Sequence, residues 1–132
     1  MYRYLTFGLL IPLFSTSLAV TAYSGQLEDA NAAYIRGDYA TAFRLTKPLA
    51  EQGIAKAQNR LGYLYYQGLG GVPQDYVLAH MWYNLAASRL PSDGRRDLYV
   101  RNRDSVASKM TPAQIAEAER LAREWKPKKE GR

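Results

Sequence analysis

At 132 residues the chain is sized for one domain, and it contains no cysteine. That absence excludes disulfides, thiol nucleophiles, cysteine-based metal sites and the lipid anchor of a bacterial lipoprotein. The net charge is +6 with a pI near 9.6, so anionic partners are favoured over cationic ones.

The first 22 residues read as an export signal. Arg3 supplies the early positive charge, Leu5 to Leu18 an apolar stretch broken by Pro12, and Val20-Thr21-Ala22 the small-x-small pattern before a cut. Ser17-Leu18-Ala19 is a second candidate, and an uncleaved anchor is the alternative. The apolar run is short beside the roughly 20 residues a spanning helix needs, which favours cleavage and leaves no transmembrane span in the mature chain. The expected location is therefore periplasmic or secreted. A mature chain of this size buries about two-thirds of its unfolded surface, enough for a modest core.

Charge is uneven along the mature part. Tyr23 to Ala87 holds five basic and five acidic residues, whereas Ser88 to the end holds twelve basic and seven acidic. The excess lies in the last third. It reads either as a docking face for anionic lipid or envelope polymer, or as ordinary solvation of helix surfaces. For an exported chain, nucleic acid is not the expected partner.

Six helices and no strand follow the signal. The first covers about Leu27 to Arg36, with Leu27, Ala30, Ala33 and Tyr34 at helical spacing. Gly37-Asp38 ends it and caps the next. The second runs from about Tyr39 to Gln52 on a stripe of Ala42, Phe43, Leu45, Leu49 and Ala50; Pro48 should kink it, and Gly53 stops it. The third covers Ala55 to Gln67. Gly68 to Pro73 is a loop. The fourth starts behind Asp75, whose carboxylate suits a helix N-terminus, and runs to about Arg89. Pro91 to Gly94 breaks the chain.

The fifth helix spans about Arg95 to Lys109, with Leu98, Asn102, Val106 and Met110 at a spacing of four and Asn102 at the edge of the buried face. The sixth opens with Thr111 as N-cap, Pro112 as first residue and Gln114 completing a capping box. Ile115, Ala118, Leu121, Ala122 and Trp125 form its stripe. Pro127 stops it, leaving a basic, frayed tail over 127–132.

An internal repeat is visible. Tyr39-x-x-Ala42 aligns with Tyr76-x-x-Ala79 and Leu49-Ala50 with Ala86-Ala87, both at an offset of 37. Tyr34-x-x-Gly37 aligns with Tyr65-x-x-Gly68 at 31, because the second loop is six residues longer. Physically, Gly62 admits a neighbouring helix closely, at a propensity cost of about 1 kcal/mol. Trp82 and Tyr65 fill inter-helix space, and Ala79, Ala86 and Ala87 keep a narrow face.

The stretch Ala57, Leu61, Gly62, Tyr65, Gly68, Gly70, Val72, Asp75, Ala79, Trp82, Tyr83, Ala86 and Ala87 resembles a Sel-1-like repeat, a relative of the tetratricopeptide repeat. Residues 27–53 resemble a degenerate tetratricopeptide-like pair, and 95–126 resemble a C-terminal helix pair seen in bacterial members. The loop departs from the family by one extra glycine at Gly70-Gly71, and Leu78 stands where lysine is common. The resemblance implies an all-α, short α-solenoid of antiparallel helix pairs over 23–126, closed by the last pair as a cap. It also implies that the inward positions of the third helix, Lys56, Asn59, Tyr63 and Tyr66, line a concave face that binds a protein or peptide. The alternative for Tyr63 and Tyr66 is packing on adjacent helices.

Nothing points to catalysis, a cofactor or a metal. The lone histidine, His80, reads as a surface or edge residue, Asp75 as a helix start, and Gly68-x-Gly70-Gly71 lacks the lysine of a phosphate loop. Some repeat proteins of this type are linked to hydrolase activity, but those are rich in cysteine. The reading is a non-enzymatic adaptor of the cell envelope, with electrostatic binding through the basic last third as the alternative.

Overall fold

The computed structural model describes residues 15–129, with side chains from Tyr23 onward. Arg3 and most of the apolar run of the expected export signal lie outside the described residues. The order is α1 (Ser15–Ile35), α2 (Tyr39–Glu51), α3 (Ala55–Gln67), α4 (Tyr76–Ser88), α5 (Gly94–Ala107) and α6 (Pro112–Glu124), with no strand among the described residues. Successive helices pack on one another from α1 to α5, giving a short α-solenoid. No helix among the described residues is long and apolar enough to cross a membrane.

The caps explain the boundaries. Asp38 accepts from the Thr41 backbone N–H at 3.2 Å, Asp75 from that of Leu78 at 2.9 Å, and Asp93 from those of Arg95 and Arg96. Each satisfies backbone donors that a helix start leaves unpaired. Thr111 and Gln114 close the capping box in both directions. Gly68 ends α3 in the left-handed region, at φ 67°, where a side chain is disfavoured. Pro48 lies within α2, which continues to Glu51. The largest boundary difference is α1, which begins at Ser15 rather than Leu27, so the helix runs through both candidate cleavage points.

The helix pairs close around small residues. A Cβ built on Gly62 would sit 2.9 Å from the Tyr83 ring and 3.2 Å from the Ala79 carbonyl oxygen, so α3 and α4 approach as closely as a bare backbone allows. Leu49, Ala50, Ala57, Leu61, Met81, Trp82 and Leu85 form the main core, and Leu78 packs half-buried against it. Gln58, fully buried, ties α3 to α2 by donating to the Ala50 carbonyl at 3.2 Å.

The last two helices close the stack through α4. Both α5 and α6 lean chiefly on α4, which also packs on α3. Leu121, Ala122 and Trp125 of α6 reach the main core, and Trp125 meets Trp82 edge-on with ring centroids 6.1 Å apart. The Arg89 guanidinium lies over Trp125 at 4.8 Å. The chain beyond α6 is docked rather than frayed: Lys128 donates its backbone N–H to the Glu51 carbonyl at 2.8 Å, and its ammonium pairs with the Glu51 carboxylate at 3.0 Å. Residues 130–132 lie outside the described residues.

Because α4 has neighbours on three sides, it buries Ala79 to Tyr83 and Leu85 to Ala87. This corrects the reading of His80, which is 3% exposed rather than at a surface or edge. Its Nδ1 has no hydrogen-bond partner. Burial lowers its pKa below the ordinary 6.5, with Arg103 adding to the shift and Glu119 and Asp104 opposing it. These charges come from α5 and α6, the helices packed beside it. Above 6.5 His80 is neutral in both folded and unfolded chains, and stability is at its full value. As pH falls through 6.5 the unfolded chain takes up the proton first, so stability declines until the folded value is passed. The melting temperature is therefore expected to drop from neutral pH toward pH ~5.5, where carboxylates contribute little. His80→Leu should flatten that drop, as thermal scans across the range would show; an unchanged slope would assign it to other groups.

Candidate functional site

The first helix of each successive pair, α1, α3 and α5, lines one open groove of about 500 Å³, with Tyr83 of α4 at its base. The α3 wall carries Lys56, Asn59, Arg60 and Tyr63. Their spacing of three and four residues places them on one helix face. Tyr34 enters from α1, and Arg95, Leu98, Tyr99 and Asn102 enter from α5. Lys56 is exposed and also borders a second hollow of about 320 Å³ along α1, lined by Glu28, Asn31 and Ile35 among others.

Three of the four residues expected to face inward therefore share the groove. Asn59 is held across it, its side-chain oxygen accepting from the Asn102 amide at 3.0 Å. Tyr63 meets Tyr34 edge-on at 5.9 Å. The neighbouring Tyr63 hydroxyl, with burial, pushes the Tyr34 pKa up to about 12, so Tyr34 stays neutral in the physiological range. Tyr66 does not line the groove. Its ring lies 5.7 Å from that of Tyr76, and its hydroxyl accepts from Lys109, whose ammonium also sits over the ring at 4.9 Å. It packs between helices, one of the two alternatives open to it.

Arg60 is the groove residue that sequence reading passed over. It donates to the Asn31 side-chain oxygen at 2.7 Å and lies over the Tyr34 ring at 5.2 Å. A guanidinium held from two sides loses little freedom when it binds. Its position four residues after Lys56 was a signal that could have found it. The α5 wall was also misjudged: Tyr99 is buried, whereas Leu98 is exposed at the groove.

The signature residues behave as packing. Ala57, Leu61, Ala79, Trp82, Tyr83, Ala86 and Ala87 are buried, and Tyr65 packs edge-on to Phe43 at 5.7 Å. Gly68 and Asp75 are used as caps. Tyr83 sits so deep that burial raises its pKa far above the ordinary value of 10.0, so its hydroxyl stays protonated.

Comparison with curated proteins and with solved structures returns no match. The family model described as Sel1 repeat matches residues 55–89, which span α3, the glycine loop, α4 and Arg89. Sel1 repeats are non-catalytic modules that bind protein partners. The aligned small residues, the helix pair they bring together and this match give one conclusion: residues 55–89 form a Sel1 repeat.

Proposed function

We propose that this chain is a non-enzymatic adaptor that holds a protein or peptide segment in the groove formed by α1, α3 and α5. The observation that carries the reading is the convergence of Lys56, Asn59, Arg60 and Tyr63 with Tyr34 and Leu98 in one open hollow. Tyrosine offers large contact area with few rotatable bonds, and arginine is a recurrent interface anchor. The Asn102 amide holds Asn59, and the edge-on contact with Tyr34 holds Tyr63, in place before a partner arrives, which lowers the cost of binding.

The workplace proposed is the bacterial cell envelope, reached by export. The support is the charged start, the short apolar run and the small residues before Tyr23. Cleavage after Ala22 would open the mature chain on Tyr23, whose side chain packs half-buried against the main core beside Leu27.

Surface binding through the basic last third is the competing reading. Several of those cations are already engaged locally: Arg103 with Asp104, Arg120 with Glu117 and Glu124, and Lys128 with Glu51. That weakens the case for a charge-driven patch.

The test is recovery of bound protein on the immobilised chain, compared with a Lys56→Ala, Tyr63→Ala variant that retains its helical spectrum. Recovery is expected to survive a high-salt wash and to fall roughly tenfold or more in the variant. Material that leaves entirely with salt, from both chains alike, would favour the basic surface instead.

A further inference from the structure

The groove has one sign of charge. Lys56, Arg60 and Arg95 line it, and no carboxylate does. Asp93 approaches Arg95 at 3.9 Å, but both side chains are substantially exposed and Asp93 is committed to capping α5, so this pair neutralises little. Arg60 is the ordered centre of the positive field, fixed by Asn31 and Tyr34. A half-buried guanidinium with bound neighbours presents a fork suited to a carboxylate, and partial removal from water strengthens that attraction.

The apolar features coincide with the same place. Among the described residues the exposed large hydrophobics are Ile35, at 74%, and Leu98, at 44%. Leu98 borders the groove and Ile35 the adjoining hollow, while Lys56 borders both. A solvent-facing leucine and isoleucine on either side of a cationic centre form a pattern with an order to it: apolar, positive, apolar.

Resting on the adaptor reading above, we propose that the occupant is an extended acidic segment of a partner protein, with one side-chain carboxylate on Arg60 and flanking apolar side chains against Leu98 and Ile35. Lys56 and Arg95 set the sign of the segment, and the two apolar contacts set its register. A hollow of about 500 Å³ admits a few side chains rather than the face of a folded domain. Tyr34 and Tyr63 line the wall beside Arg60 and supply contact area for an extended backbone.

The test pans the full chain against displayed random peptides, then measures one enriched peptide by fluorescence anisotropy. Enrichment of Asp or Glu flanked by Leu, Ile or Phe is expected. Replacing the acid by its amide in the synthetic peptide should weaken binding about tenfold, with no change to the protein. Arg60→Lys keeps the charge but loses the fork, and about the same loss is expected. Leu98→Ser should weaken binding several-fold, by about the loss of one apolar contact. An amide peptide that binds as tightly as the acid overturns the proposal. So does enrichment without acidic residues. If such peptides still lose binding in Tyr63→Ala, the groove reading survives and only the acidic occupant falls. Peptides indifferent to Tyr63→Ala, or no enrichment at all, overturn both.

Discussion

Trp82→Ala is expected to cost about 3–5 kcal/mol, the range for removing a large buried aromatic from a core. Trp82 is 6% exposed in the main cluster, on the helix against which three others pack. The loss would exceed the empty volume, because Trp82 also seats α6 through its edge-on contact with Trp125. Trp125 is only half-buried, so Trp125→Ala should cost less. An aromatic pair of this geometry contributes about 0.5–1.5 kcal/mol beyond its area, and a double-mutant cycle in urea would isolate that share. Single losses that simply add would mean that the two rings do not support each other. A loss below about 1 kcal/mol for Trp82→Ala would mean that the core closes over the gap, against the buried-aromatic range.

The second large effect separates two adjacent glycines. Gly70 has φ +87° and Gly71 φ +84°, so any side chain at either is strained. The surroundings differ. A Cβ on Gly70 would lie 2.6 Å from the Phe43 Cβ and 2.8 Å from the Tyr39 carbonyl oxygen, whereas one on Gly71 would meet nothing within 4 Å. Gly71→Ala should therefore cost the conformational strain alone, about 1–2 kcal/mol. Gly70→Ala adds overpacking of about 1–3 kcal/mol against α2, whose backbone cannot step aside. Chemical denaturation of the two variants checks the difference; equal losses would mean that the loop does not rest on α2. The loop's extra glycine thus has a location: Gly70 lies against the first helix pair, and Gly71 takes up the added length in open space.

Much of this fold is written locally. Ala55 to Gln67 is read from the sequence with the bounds that the structure shows, and Thr111-Pro112 opens α6 as expected, because caps and glycine stops are short-range signals. What the chain's local pattern does not carry is how many neighbours a helix has. His80 reads as a surface or edge residue because no sequence neighbour suits it to a nucleophile or metal site, whereas a helix in a two-layer stack keeps a wet face only if no third layer covers it. The return of α6 across α4 removes that face, and nothing near residue 80 records it. Leu98 reads as part of the buried stripe and is exposed, with Tyr99 buried instead, for a related reason: their exposure depends on which way α5 is turned against α4. The groove was half legible. Lys56, Asn59 and Tyr63 follow from the family resemblance of α3, whereas the positions of Arg95 and Leu98 depend on the packing of α5.

Repeat proteins are ordinarily quasi-linear, each unit touching its neighbours, so their ends can peel away one unit at a time. The docking of Lys128 on Glu51 breaks that linear order. It joins the last segment of the fold to the second helix and closes the stack into a loop of mutual support, with Trp125 wedged at the seam. Among the described residues, the α6 end is then not a free terminus from which disorder can spread. Loosening α6 bares the Trp82 core and frees Glu51 together, which couples the last helix to the second.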